Sequence, residues 1–417
     1  INLTKGQIIE KALDLHSEGR YLEASKYYQL FINRGFIDPR VFSNFGVICQ
    51  QHGEIDKAIS LYKKSIQLFP DLPECYSNLG YIFKELRDLE AAEKYTRKAI
   101  KINPSFANAF LNLGNIMKDK GNLIKAEKYT RKAISLNASC AKFYLNLANI
   151  LIDSGKLDEA YIYIQKTIDL DPNLCKAYYV LSTLPTSIND YNLEGKLFSD
   201  SFLINKGIKE KIDIYFARAN FLHKKKKYSS SSKYLIMANN LKLTIYTSNV
   251  NYRLNKSKEL LKESYMNDIQ ITRDIDHPKS IFIVGMPRSG STLLESILSM
   301  NPHVNDLGEL NIFEDSYLEW KKLRSSNSDI NLDQVYFRQL NSLIEKSPII
   351  TNKWLYNYQY TGIILSSIPN SKIIHCIRNP LDNILSIFRA NFSKGNEYST
   401  SLIDCAKVYN DHVKRMN

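Results

Sequence analysis

Residues 281–292 read IFIVGMPRSGST. Four apolar residues lead to Gly285, four more residues follow, and Gly290, Ser291 and Thr292 close the stretch. The apolar run, bounded by Lys279-Ser280 and Gly285, predicts a buried strand. Leu293, Leu294, Ile297 and Leu298 then recur at helical spacing, so a helix starts near Gly290. Strand, glycine-bounded loop and helix start together make an anion site, because loop N–H groups and the helix dipole face one point. The spacing is nearly that of the phosphate loop G-x-x-x-x-G-K-[ST], except that Ser291 stands where that loop carries its lysine. The nearby cation is Arg288, ahead of the second glycine.

A nucleoside triphosphatase uses that lysine to bridge two phosphates and the next hydroxyl to hold magnesium. A cation placed earlier suits a donor with one phosphate and one transferable group. The strand that would supply a magnesium carboxylate, KIIHCI at 372–377, instead runs into Arg378. The pattern therefore argues against a metal-dependent triphosphatase or kinase.

Downstream, the sequence predicts a strand at 348–351 with a helix at 358–368, then the strand at 372–377 with a helix at 381–392. Alternating strands and helices imply a parallel sheet covered by helices. Ligands of such sheets lie beyond the carboxyl ends of the strands. Arg288, Lys353 and Arg378 each follow closely on a predicted strand, so all three should face one crevice.

Upstream, residues 241–279 form a polar transition segment ending in His277-Pro278, which places a domain boundary near 279. Before it the chain repeats. SNLGYIFKELRDLEAAEKYTRKAIKINP (77–104) and LNLGNIMKDKGNLIKAEKYTRKAISLNA (111–138) lie 34 residues apart, and two further segments keep the same period. Ala12, Gly46, Gly80, Gly114 and Ala148 share one position; Ala24, Ala58, Ala92, Ala126 and Ala160 share another. Small residues there let two antiparallel helices approach, and Pro70, Pro104 and Pro172 end the second helix of their units. This is the tetratricopeptide period. Five units cover about 7–176; a degraded unit follows, then a pair with Ala219, Ser231 and Ala238 in the small positions. Such arrays bind peptides or proteins, or scaffold a neighbouring domain.

The composition constrains the rest. The formal charge of +13 is spread along a chain of 417 residues rather than gathered, and no nucleic-acid motif accompanies it. The dense run Lys224–Lys227 falls where two helices should turn. Six cysteines without ligand-like spacing point to reduced thiols and a cytoplasmic setting. No apolar run is long enough to span a membrane, and the first residues lack an apolar signal core. Because the sequence begins with Ile1 rather than Met, we expect that a segment precedes it.

PRSGSTLLESIL (287–298), NKWLYNYQYTGIILSSIPNSKIIHCIRNPLDNILSIF (352–388) and the repeats before them resemble bacterial tetratricopeptide-repeat sulfotransferases, which are similar in turn to tyrosylprotein sulfotransferases. The resemblance implies an α-helical solenoid over 1–240, the transition segment at 241–279, and an α/β P-loop-like parallel-sheet sulfotransferase domain over 280–417. It implies further that Pro287, Arg288, Ser289, Gly290, Ser291 and Thr292 hold the 5′-phosphosulfate of 3′-phosphoadenosine 5′-phosphosulfate, with no metal required. Arg378 and Ser386 match the family's 3′-phosphate clamp, and Lys353 matches the lysine that supports the sulfuryl group. Glu309 falls where the tyrosylprotein enzymes carry the general base.

The departures are specific. Leu310 replaces a second acid after Glu309, and the spacing there differs by one residue. Asn379 and Asn352 replace aspartates, and Trp354-Leu355 replaces Met-Pro. The family's domain continues beyond the point where this sequence stops, so we expect 280–417 to be its N-terminal portion. The competing readings are plain ones: a solvated strand-end Lys353, a helix-capping Arg378, a surface Glu309, an exposed loop His303 and a structural His375. The alternative function is a repeat-based interaction scaffold carrying an inactive or regulatory nucleotide-binding domain.

Overall fold

A computed structural model describes residues 3–185, 191–266, 277–326, 330–341, 347–392 and 395–416. The chain divides into two compact units, residues 1–184 and 185–417.

The first unit is a series of helix hairpins in the predicted 34-residue period. The pairs are α1 (Lys5–Ser17) with α2 (Tyr21–Asn33), α3 (Pro39–Gln51) with α4 (Ile55–Leu68), α5 (Pro73–Glu85) with α6 (Leu89–Ile102), α7 (Ala107–Asp119) with α8 (Leu123–Leu136), and α9 (Ala141–Asp153) with α10 (Leu157–Leu170), followed by α11 (Cys175–Thr183). Pro39 and Pro73 sit in the first turn of their helices, where a missing N–H costs nothing. The small-residue ladder is explained by close approach. A Cβ built on Gly80 would lie 2.1 Å from Thr96 Oγ1, and one on Gly114 would lie 2.4 Å from Thr130 Oγ1. Each hairpin turn needs a left-handed residue, which is Gly19, Gly53, Gly121 or Gly155 in four pairs and Arg87, at φ 67°, in the third.

The second unit begins with helices α12 (Tyr191–Phe198), α13 (Ile208–Lys224), α14 (Tyr228–Ile245) and α15 (Val250–Met266). Of the run Lys224–Lys227, Lys224 ends α13 and the other three lysines form the turn to α14. This pair keeps the small buried residues Ala219, Ser231 and Ala238, yet it packs within the second unit, where Asn239 donates to the carbonyl of Phe388 at 3.1 Å. Part of the polar stretch read as a transition is also helical: α15 gives Val250 and Leu260 to the core of this unit. Arg253 of α15 lies 3.9 Å from the Tyr356 ring centroid. Residues 267–276 of the transition stretch and 186–190 of the degraded repeat lie outside the described residues.

The sheet is parallel, with strands β1 (Lys279–Gly285), β2 (Val304–Asp306), β3 (Ile349–Asn352) and β4 (Ser371–Cys376) in the order β2-β3-β1-β4. Register places Gly285 beside Cys376 and Phe282 beside Asn352, so the strand ends cluster. The helices that follow the strands are α16 (Ser291–Leu298), α17 (Ile312–Ser325), α18 (Leu332–Asn341), α19 (Thr361–Ser367), α20 (Pro380–Phe388) and α21 (Leu402–Met416). Phe282, Phe313, Tyr336 and Tyr360, all buried, pack edge-to-face or tilted beneath the sheet. The helix predicted at 358–368 opens as a 3-10 turn over Leu355–Tyr360, and that predicted at 381–392 ends at Phe388.

The apolar period of α16 locates the helix but not its buried face. Leu293 and Ile297 are 68% and 55% exposed, while Ser291 and Glu295 are buried at 4% and 5%. Among the described residues, no helix is long and apolar enough to cross a membrane.

Candidate functional site

The loop from Gly285 to Thr292 is shaped by backbone constraints. Gly285 has φ 156°, and a Cβ there would meet the Cys376 carbonyl oxygen at 2.7 Å, so the neighbouring strand admits only glycine. Arg288 (φ 67°) and Gly290 (φ 95°) are both left-handed, which folds the loop back over the end of β1. A non-glycine residue in this region costs roughly 1–2 kcal/mol and needs outside support. Two side chains provide it. Arg378 donates from Nη1 to the Arg288 carbonyl at 3.1 Å, and buried Asn383 donates from Nδ2 to the Pro287 carbonyl at 3.0 Å.

The loop presents open donors. Gly290 caps α16 without a side-chain bond, which leaves the N–H groups of the first turn facing outward. The Ser289 hydroxyl is buried and has no partner among the described residues. A Cβ built on Gly290 would meet none of the described residues beyond its chain neighbours within 4 Å. A buried orphan hydroxyl beside open donors is the arrangement that fits an anion.

The structure brings Arg288, Arg378 and Ser386 together. Arg288 Nε donates to Ser386 Oγ at 3.3 Å, so Arg288 lies between the other two residues. Arg378 is held from the opposite side by the Tyr409 hydroxyl, which donates to its carbonyl at 2.9 Å. A further cation, Arg389 at the end of α20, escaped the sequence reading. Burial and then the charge of Arg288 lower its pKa, and its Nη1 lies 2.7 Å from His223 Nε2. Burial, and next the Arg389 charge, lower the His223 pKa as well, which leaves a neutral ring to accept that bond.

Lys353 forms the second half of the site, at the end of β3, and is only 4% exposed. Its N–H donates to the Gly308 carbonyl, and the N–H of Leu307 donates to that of Thr351, both at 3.0 Å, so the turn carrying Glu309 is stitched to the strand. The ammonium lies 3.0 Å from Thr292 Oγ1, 3.0 Å from Glu309 Oε1 and 3.7 Å from Glu295 Oε2. Glu309, with its side chain 63% exposed, reaches in from solvent. Glu295 is buried and accepts from Thr351 Oγ1 at 3.2 Å. Burial raises its pKa, and the Lys353 charge opposes that. Sequence reasoning missed Glu295 and Asn383 alike, because nothing in their local pattern sets them apart. His303 is exposed, and His375 instead faces His412, with their Nε2 atoms 2.9 Å apart.

Residues 278–417 match the sulfotransferase family. Residues 46–86, 73–106, 107–140 and 141–174 match tetratricopeptide-repeat models. The chain joins tetratricopeptide repeats to a sulfotransferase-family domain. It is 29% identical over 206 residues to an uncharacterized protein of Aquifex aeolicus (strain VF5), a match covering 43% of this chain and 26% of that protein. The chain thus spans about a quarter of that relative's length. Among solved structures it is similar to a thermophilic tetratricopeptide-repeat protein of Thermus thermophilus, at 20% identity and TM-score 0.40, covering 43% of this chain and 98% of that one. It is also similar to MamA from Desulfovibrio magneticus RS-1, at 17% identity and TM-score 0.36, covering 41% and 96%. The sulfotransferase-family match begins at residue 278, immediately before β1, and its span contains both halves of the site.

Proposed function

We propose that the second unit transfers a sulfuryl group from 3′-phosphoadenosine 5′-phosphosulfate to an acceptor hydroxyl on a protein tyrosine, a sugar or a small alcohol. The observation that carries this reading is that Arg288, Lys353 and Arg378 each follow the carboxyl end of a neighbouring parallel strand, β1, β3 and β4, beside a loop whose buried Ser289 hydroxyl has no partner among the described residues. The donor supplies the sulfuryl group on a phosphate leaving group. The loop from Pro287 through Ser289, Gly290 and Ser291 to Thr292 binds the phosphosulfate, with Arg288 its principal cation. Arg378 and Ser386 hold the 3′-phosphate, and they already converge on Arg288.

Lys353 offers its ammonium to the transferring group, where charge stabilisation in a water-poor crevice is worth most. Glu309 takes the proton of the acceptor hydroxyl, a role worth ~10²–10⁴-fold. In the structure Glu309 is bonded to Lys353, so the lysine must turn to the anion before the carboxylate is free to act. The chemistry uses arginine, lysine and backbone dipoles and routes no step through a metal. We assign the repeats to binding a peptide or protein, as substrate or partner. We place the protein in the cytoplasm, where cysteine thiols stay reduced.

The test is calorimetric titration with adenosine 3′,5′-bisphosphate and with 5′-AMP, each with and without magnesium. The bisphosphate is expected to bind without metal and more tightly than 5′-AMP. Arg378→Ala should weaken it about 10- to 100-fold, as loss of a charged hydrogen bond does. Equal affinity for both nucleotides would refute the reading.

A further inference from the structure

We propose that Glu295 is the positioning residue of this site, a buried carboxylate that fixes Lys353 and keeps it charged when Glu309 releases it. The inference rests on the transferase reading and deepens it.

The argument begins with spacing. Thr292 and Glu295 are three apart on α16 and so share one helix face. Thr351 and Lys353 are two apart at the end of β3 and so share one sheet face. The two faces meet as a closed polar set: Thr292 Oγ1 at 3.0 Å and Glu295 Oε2 at 3.7 Å from Lys353 Nζ, and Thr351 Oγ1 at 3.2 Å from Glu295 Oε1. A buried ammonium without a partner sheds its proton rather than bear the cost of desolvation. Lys353 therefore needs a permanent counter-charge.

Two carboxylates are available, and their surroundings differ. Glu309 has a side chain 63% exposed, whereas that of Glu295 is 7% exposed and tied to Thr351. An ammonium has three N–H donors. When Glu309 leaves to accept the acceptor's proton, one donor turns to the transferring group, Thr292 keeps its hydrogen bond, and Glu295 stays as the counter-charge in an ion pair at 3.7 Å. The division of labour follows from burial: the exposed acid exchanges partners, and the buried acid stays.

The experiment is a pH titration of the Lys353 ε-carbon resonance in lysine-labelled full-length protein, assigned by its loss in Lys353→Arg. Because Glu309 holds Lys353 at 3.0 Å in the resting protein, the comparison is made with Glu309→Gln in place throughout: alone, with Glu295→Gln and with Glu295→Asp, bisphosphate binding being measured on each. In Glu295→Gln the Lys353 midpoint should fall by about one pH unit or more, a tenfold or greater rise in neutral amine at a given pH. Glu295→Asp should restore most of the shift. Bisphosphate affinity should remain within about twofold of that of the parent protein, since the partners of the Glu295 carboxylate among the described residues are Lys353 and Thr351, outside the phosphate clamp. An unmoved midpoint in a variant that still binds the bisphosphate overturns the proposal. Should Glu295→Gln fail to fold, Thr351→Val replaces it, because it frees Glu295 from its anchor. The midpoint must then fall in the same direction, and an unchanged value overturns the proposal equally. If wild type itself ignores the bisphosphate, the transferase reading falls, while the lysine titration still decides whether Glu295 holds Lys353.

Discussion

Acidification should destabilise the second unit through one histidine. His412 of α21 is 2% exposed, and its Nε2 lies 2.9 Å from Nε2 of His375 on β4. Two imidazoles so placed share a proton: one donates and the other must stay bare. Protonating both removes the acceptor and sets two like charges side by side. Burial first, and then His375, push the His412 pKa from 6.5 down to about 4; burial lowers His375 as well. Around the pair stand Tyr358, Tyr409, and the Asp411–Arg415 ion pair at 3.2 Å.

The sign follows from linkage. The unfolded chain binds this proton more tightly than the folded one, so stability is full above the unfolded value of 6.5 and is lost as pH falls toward about 4. The shift is worth about 3 kcal/mol in full, and about 2 kcal/mol of that should go between pH 7 and pH 5. The assay is urea denaturation followed by tryptophan fluorescence. The chain has 2 tryptophans, Trp320 and Trp354, and both lie in the second unit. His412→Gln keeps an amide beside His375 but cannot charge. Groups outside the pair titrate alike in both proteins, so the difference between their pH dependences isolates the His375–His412 pair. A variant that loses as much stability as wild type between pH 7 and pH 5 would refute the reasoning. Because Tyr409, on the same helix, holds the Arg378 carbonyl, bisphosphate binding should weaken over the same interval.

Gly80→Ala should destabilise the first unit by about 1 kcal/mol, because overpacking against Thr96 costs roughly 1–3 kcal/mol and the gain in helix propensity is only about 1. Adding Thr96→Ala, which removes a hydroxyl with no partner among the described residues, should reverse the loss in a circular-dichroism melt. Arg87→Gly should raise the stability of the same unit by about 1 kcal/mol, since it relieves the left-handed strain that the other hairpin turns avoid with glycine; no gain would mean Arg87 contributes compensating contacts. Arg253→Ala should cost the second unit about 2 kcal/mol by tryptophan fluorescence, the worth of a desolvated cation–π contact with Tyr356. An unchanged midpoint would show that α15 does not depend on that contact.

What the sequence determined by itself was local or periodic. The repeat was legible because each hairpin meets the same steric demand 34 residues after the last, and the demand falls on small residues that can be counted. The strand–loop–helix unit was legible because strand, glycines and helix start occupy twelve consecutive residues. That Arg288, Lys353 and Arg378 follow the ends of three neighbouring strands could be foreseen because each stands just beyond an apolar run.

Tertiary structure decided what depends on residues far apart in the chain. The three-residue strand β2 exists through its pairing with β3, some 45 residues on. Helix α15 looked like a polar connector, because its anchors are an arginine on a distant tyrosine ring and two buried aliphatics rather than a periodic apolar stripe. Glu295 and Asn383 carry no local signal, since their partners lie 56 and 96 residues away. The plainest case is α16. Leucine and isoleucine spacing announced the helix, yet its polar face turned inward, because a buried lysine at the end of β3 required carboxylate and hydroxyl oxygens more than the apolar side chains required cover.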